Sequence, residues 1–225
     1  MVLQLTDEVH YKGAPYEPFF ATGMDGPLFN PEDFGMKPQW PHEGCSRGFV
    51  AKFEINFDRL YLTGLGVHLF VNPRRWVRGP TLHHVQPSFI RKWGFKHPDA
   101  DIVFNDFNNY YALHSPINFS GPLLLGSGGN CYFDESSVCG EAFVREYEET
   151  IGPNHCQQHK TLLRLEFQDG CLIKEEDLSE LNKKYREMFE AVEERQRQAR
   201  ALEDDEKNQE PFYPDDDILD EEPPF

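Results

Sequence analysis

The sequence predicts an α+β fold rich in β-strand: antiparallel hairpins forming a curved sheet or partial barrel, then a C-terminal amphipathic helix and a disordered acidic tail. Three stretches carry this. FVAKFEINFDRLYL, Phe49 to Leu62, places Phe49, Ala51, Phe53, Ile55 and Phe57 on one side. Val50, Lys52, Glu54 and Asn56 fall on the other, the two-residue period of a half-buried strand. KTLLRLEFQDGCLIK alternates Leu163, Leu165 and Phe167 with Leu162, Arg164 and Glu166. Its Asp169-Gly170 supplies the two positive φ angles of a type I′ turn, which sets Phe167 opposite Leu172. The third stretch, from Asp177 onward, repeats Leu178, Leu181, Tyr185, Met188, Phe189 and Val192 at three- and four-residue steps, an amphipathic helix capped by Ser179 or Asp177.

The remaining elements follow in order. EVHYKGAPYEP alternates Val9 with Tyr11, turns at Lys12-Gly13 and recovers at Tyr16, a short hairpin. Pro18, Pro27, Pro31, Pro38 and Pro41 argue for a long loop over 18–46, packed down by Phe19, Phe20, Leu28, Phe29, Phe34 and Trp40. A turn centred on Asp58-Arg59 would set Phe57 opposite Leu60 and Ile55 opposite Leu62 on one buried face. Gly64 and Gly66 suggest a bulge or close contact in the strand that follows. Residues 71–109 read as a basic insertion without an assignable regular element. Tyr110 to Gly126 resumes strand texture, with Pro116 and Pro122 at edges or breaks. GSGGN is a turn, and GEAFVREYEET suits a strand or a short helix. Past Val192 the helix is solvated, held by charge pairs such as Glu193 with Arg197. FEI-turn-LYL and LEF-turn-CLI echo one another, but two copies do not make a repeat architecture. The predicted organisation is thus a β-rich core at 1–177 with its insertion at 71–109, a helix at 178–205 and a tail at 206–225.

Charge is unevenly placed. The chain carries −17, and from Glu203 onward eleven acids face Lys207 alone, leaving −7 for the first 202 residues. That balance disfavours nucleic acid, whose phosphates need clustered cations. No segment approaches the ~18 apolar residues of a membrane span. The start, MVLQLTDEVHYKG, does not read as an export signal, so the five cysteines read as reduced thiols in a cytoplasmic protein.

Tyr11-Lys12-Gly13 with Tyr16, Cys45-Ser46-Arg47-Gly48-Phe49, Phe53-Glu54-Ile55 and Leu60-Tyr61-Leu62 form a recurring set of patches. Ser120-Gly121 with Leu123, and Leu165, Phe167, Gly170 and Leu172, extend it. Together they resemble a family of small uncharacterised bacterial β-rich proteins, in patches over about two-thirds of the chain. The resemblance implies a β-rich cytosolic domain with no assigned reaction. Residues 71–109, the long helix and the tail depart from that pattern.

Four constellations could carry chemistry. His155, Cys156 and His159 lie near Cys131 and Cys139, but the spacing fits tetrahedral zinc poorly, and no metal or other cofactor is expected. Cys45 beside Arg47, with His42 three residues away, is the basis for an alternative reading as a hydrolase or transferase. The plainer expectation is a buried Cys at a strand entry and an Arg47 that pairs with a buried carboxylate or binds an anion. Gly126-Ser127-Gly128-Gly129 lacks the Lys-Ser/Thr ending of a phosphate loop and reads as a hairpin connection. From Arg59 to Pro98 there is no Asp or Glu. Arg74, Arg75, Arg78 and Lys92, interleaved with Trp76 and Trp93, would serve an anionic partner or, as a further alternative, weak nucleic-acid binding through 74–97. The acidic tail, anchored by Phe212, Tyr213, Ile218, Leu219 and Phe225, would cover that basic segment or dock on a basic partner. The expected role is a non-enzymatic protein-binding module of adaptor or immunity type, acting on another protein and not on a membrane.

Overall fold

Three two-residue turns organise the molecule, and all three place both residues at positive φ: Lys12-Gly13, Phe57-Asp58 and Asp169-Gly170. The structure, a computed structural model, describes residues 6–20, 28–40, 45–72, 75–89, 107–129, 141–151 and 158–208. The turns join β1 (Glu8–Tyr11) to β2 (Ala14–Phe20), β3 (Phe49–Asn56) to β4 (Arg59–Val67), and β11 (Thr161–Gln168) to β12 (Cys171–Asp177). Turns with both φ values positive match the right-handed twist of the strands they join. Between these ribbons the chain forms β5 (Phe70–Asn72), β6 (Arg75–Trp76), β7 (Ser88–Phe89), β8 (Asn108–Tyr110), β9 (Ser115–Pro116) and β10 (Gly121–Ser127). Helix α1 (Glu141–Thr150) precedes β11, and α2 (Ser179–Asn208) follows β12.

Seven strands close into a barrel in the order β12-β11-β10-β2-β1-β3-β4, with β12 returning to β4 through Cys171 and Arg59. The sheet is therefore not a partial barrel, and it is not wholly antiparallel. A ring with an odd number of strands cannot alternate direction all the way round. The exception is β1 against β3, which run parallel with Val9 beside Phe53 and Tyr11 beside Ile55. Strands β8, β7 and β9 extend the sheet from β4. A ring this small leaves room inside only for its own side chains. Val9, Tyr11, Phe53, Leu60, Leu62, Leu65, Leu123, Leu125, Leu163, Leu165 and Phe167 fill it, all buried. Burying these apolar surfaces is the main force holding the ring together.

The sequence expectations meet this structure unevenly. Phe167 does face Leu172, with the register shifted between Glu166 and Phe167. The β3–β4 turn lies one residue earlier than expected, at Phe57-Asp58, so Ile55 faces Leu60 and Phe53 faces Leu62. Phe57 is thereby removed from the core and stands 93% exposed. The bulge expected near Gly64 is present, as a register shift at Lys52 and Phe53. The loop after Pro18 begins later than predicted, because Pro18 and Phe19 belong to β2, paired with Leu125 and Leu124 of β10. A short 3-10 turn, Pro31–Phe34, interrupts that loop. Leu28 and Phe29 pack down as expected, but Phe34 and Trp40 are exposed. EAFVREYEET is helix, and with α1 lying between β10 and β11 these two strands are not joined by a tight hairpin at GSGG.

A second apolar cluster lies outside the ring. Phe19, Leu124 and Leu162 on the outer face of β2, β10 and β11 meet Tyr147 and Ile151 of the α1 segment and Leu178, Tyr185 and Phe189 of the α2 segment. The Asp177 carboxylate accepts from Ser179 N at 2.9 Å, capping α2. Of the predicted stripe, Met188 is the misfit, 51% exposed. At 1.5 Å per residue α2 is about 45 Å long, and from Glu194 to Leu202 its side chains are exposed apart from the half-buried Gln196. There Arg197 pairs with Glu194 at 2.9 Å; the Glu193 side chain lies outside the described residues. No helix among the described residues is long and apolar enough to cross a membrane.

Tyr110 yields a direct test of burial. Its hydroxyl donates to the Pro80 carbonyl at 2.7 Å, and burial pushes its phenol up to about 12. The raised value means the folded state holds this proton more tightly than the unfolded chain. Its stabilisation is complete below about pH 10, the ordinary phenol range, and disappears as pH rises through about 12. Tyrosine absorbance titration of wild type against Tyr110→Phe should differ by one phenol ionising near pH 12. A difference centred on the ordinary range would contradict this.

Candidate functional site

Arg47 and Asp7 define one side of the site. The Arg47 guanidinium grips Asp7 bidentately, Nη1 to Oδ2 at 3.0 Å and Nη2 to Oδ1 at 2.8 Å, and its Cζ lies 4.7 Å from the centroid of the Phe49 ring. Asp7 Oδ1 also accepts from the buried Ala51 N–H at 2.8 Å. One carboxylate thus ties the start of β1 to β3 beside their parallel ladder, and Arg47 is committed to a structural pair. Cys45 is buried, with its thiol pushed up by burial, which opposes a role as thiolate nucleophile. His42 lies outside the described residues.

Next to this pair an open cleft of about 420 Å³ lies at the barrel end opposite the three turns. Four neighbouring strands contribute: Asp7 and Glu8 at the start of β1, Tyr16 and Glu17 of β2, Val50 and Lys52 of β3, and Gly126 and Ser127 closing β10. His159, just before β11, borders it. Lys52 Nζ donates to Glu8 Oε1 at 3.1 Å, and His10 Nε2 lies 2.9 Å from the same oxygen. Burial pushes the Glu8 carboxyl up, but these bonds outweigh it and hold the group below its usual range. Glu17 differs: burial raises its carboxyl, offset only in part by the Thr6 side chain. His159 Nε2 stands 3.8 Å from Glu17 Oε2.

The position of His159 is set from both sides. Its carbonyl accepts from Asn182 Nδ2 at 2.9 Å and from Arg186 Nη1 at 3.1 Å. Asn182 is fully buried, and its Oδ1 accepts from the Tyr147 hydroxyl at 2.7 Å, so α1 and α2 fix the backbone here together. On the ring side, a Cβ at Gly126 would sit 2.6 Å from the imidazole. Only glycine lets the ring lie flat on β10. The glycine run read as a hairpin connection therefore makes room for a histidine.

Of the residues predicted for the basic segment, only Arg78 has its side chain among the described residues. Arg78 is exposed and donates to Gln86 at 3.1 Å. Arg75 and Trp76 form β6, with side chains outside the described set. Arg74, Lys92 and Trp93 lie outside the described residues, as do Phe212, Tyr213, Ile218, Leu219 and Phe225 of the tail and Cys131, Cys139, His155 and Cys156 of the metal candidate. Among the described residues no cluster of three or more His, Cys, Asp or Glu is arranged to hold a metal. Asp7, Glu8, Glu17 and Lys52 were not singled out from sequence, because their convergence depends on strand neighbours far apart in the chain. Comparison with protein-family models, curated proteins and solved structures finds no match to this chain.

Proposed function

We propose that the chain is a non-enzymatic protein-binding module that uses the turn end of its barrel as the contact face. The observation that carries this is Phe57, a 93% exposed aromatic held at φ +48 in the first position of a type I′ turn. A left-handed backbone costs an L-residue with a bulky side chain about 1–2 kcal/mol, and Asn or Gly would avoid most of that. Nothing in the packing repays the strain, so the ring's value lies in what it presents outward. Ile173, 59% exposed, stands on the adjoining strand, which is tied to this turn by Leu172 N donating to the Asp58 carbonyl at 2.7 Å. Exposed aromatics on a rigid hairpin are the usual anchors of protein contacts. The ring interior is packed with its own apolar side chains, which supports a role played by the outer surface.

Phe57→Asn separates function from folding. The variant should unfold at the same or a higher temperature than wild type, because strain is relieved. At the same time it should lose at least tenfold in affinity for any protein that wild type captures from its native source. Unchanged capture would remove the turn from the contact face.

A further inference from the structure

We propose that the outer edge of β12 pairs antiparallel with the same edge of a second copy of this chain, about a two-fold axis at Glu175. This names a partner for the contact face at the turn end and rests on that reading, though not on Phe57 itself.

β12 closes the ring over a very short length. Cys171 stands opposite Arg59, and Leu172 N donates to the Asp58 carbonyl at 2.7 Å. From Ile173 to Asp177 the strand has β11 on one side and, among the described residues, no strand on the other. Ile173, Lys174, Glu175 and Asp177 are exposed and Glu176 is half-buried. An edge of this kind presents backbone N–H and C=O groups that another strand can pair.

Charges on an edge strand commonly keep copies apart. Here their signs and spacing favour one self-pairing. Glu175 stands opposite Leu165, which lies inside the ring, so Lys174 and Glu176 on either side of it share the outer face. Their side chains are 68% and 41% exposed, and the contact between them is long, Nζ to Oε2 at 3.4 Å. In an antiparallel pair centred on Glu175, Lys174 of one copy faces Glu176 of the other, and the symmetry makes that contact twice. Centring the pair on Lys174 or on Glu176 would instead oppose like charges on the outer face.

The one like pair left is Glu175 with its own copy, on the inner face. Each Glu175 already has a cation: Lys12 Nζ donates to its two oxygens at 2.8 and 2.7 Å, and the Tyr11 hydroxyl donates at 2.9 Å. The Lys12 ammonium holds this carboxyl below its usual range. Two ammonium groups therefore accompany the two carboxylates at the axis. Ile173, 59% exposed, lies within the paired length and loses water on association. The net charge of −17 opposes the approach of two copies, so the pairing is measured at a salt concentration that screens distant charges.

Sedimentation velocity of the full chain at about 150 mM salt, where the Debye length is about 8 Å, tests this. Wild type should shift from monomer toward dimer between about 5 and 500 µM, as suits a small interface. Lys174→Glu places carboxylate opposite carboxylate at both contacts, and Glu176→Lys places ammonium opposite ammonium. Each variant alone should weaken dimerisation at least about tenfold. An equimolar mixture of the two brings opposite charges together at both contacts and should form a heterodimer as readily as wild type forms its homodimer. The double exchange, Lys174→Glu with Glu176→Lys, should also dimerise like wild type, and it decides the matter if a single variant does not fold. A chain that stays monomeric overturns the pairing and leaves the edge to a strand from a different protein. Single variants that dimerise as tightly as wild type, or a mixture no better than its components, overturn it too and put any dimer on another surface. None of these results removes the turn from the contact face, which Phe57→Asn tests by itself.

Discussion

Truncating Phe189 to alanine is expected to destabilise the protein by about 3–4 kcal/mol, the range for a fully buried aromatic whose site cannot collapse. Phe189 is 1% exposed and meets the Tyr147 ring edge-on at 5.9 Å, with Phe19, Leu124 and Leu162 in the same cluster. This side chain joins α2 to the outer face of the barrel. Its loss should therefore lower helical circular dichroism and expose α2 to protease before the barrel unfolds. Met188→Ala is the control. One position earlier in the helix and half exposed, it should change stability by less than about 0.5 kcal/mol. Equal costs at the two positions would mean that the helix is rotated from the orientation described.

Replacing Asp7 with alanine is expected to cost about 2–4 kcal/mol. The change removes the acceptor of the buried Ala51 N–H and leaves the Arg47 guanidinium without its partner. Arg47 is partly solvated, which keeps the cost below that of a wholly buried pair. Asp7→Asn should fall between, since its amide oxygen can still accept from Ala51 while its NH₂ cannot pair with the guanidinium. Urea unfolding measures both, as a shift in midpoint at unchanged slope. A loss under about 0.5 kcal/mol for Asp7→Ala would show that the parallel pairing of β1 with β3 does not depend on this carboxylate.

The hairpins were legible in the sequence because their information is local. Asp169-Gly170 names its own turn, and the alternation of Leu163, Leu165 and Phe167 names the buried face. Phe57-Asp58 was missed by one residue for the same reason. The alternation of Phe53, Ile55 and Phe57 puts Phe57 on the buried face and so moves the turn to Asp58-Arg59, though that pair is not a favoured two-residue turn, whereas pairing across the ladder puts Phe57 in the turn. Ring closure was not legible. Whether β12 meets β4, or β1 lies parallel to β3, depends on contacts between distant segments that no window reveals. The cleft inherits that opacity, since Glu8, Glu17, Lys52 and His159 come from four separate segments. Arg47 could be read as half of an ion pair from its place before an apolar strand. The identity of its partner, Asp7, needed the fold.

The odd number of strands also bears on how the chain reaches its native state. Of the seven joins around the ring, only three are tight ribbons that form within microseconds of local search. The others bring together strands that are remote in sequence, beginning with Glu8 and Lys52, 44 positions apart. Each carries a loop-closure penalty that must be met before its contacts reward it. On loop closure alone the costliest joins are β10 with β2, where Leu123 meets Phe20 from 103 positions away, and β12 with β4, where Cys171 meets Arg59 from 112, so refolding is expected to end with these rather than with the parallel join.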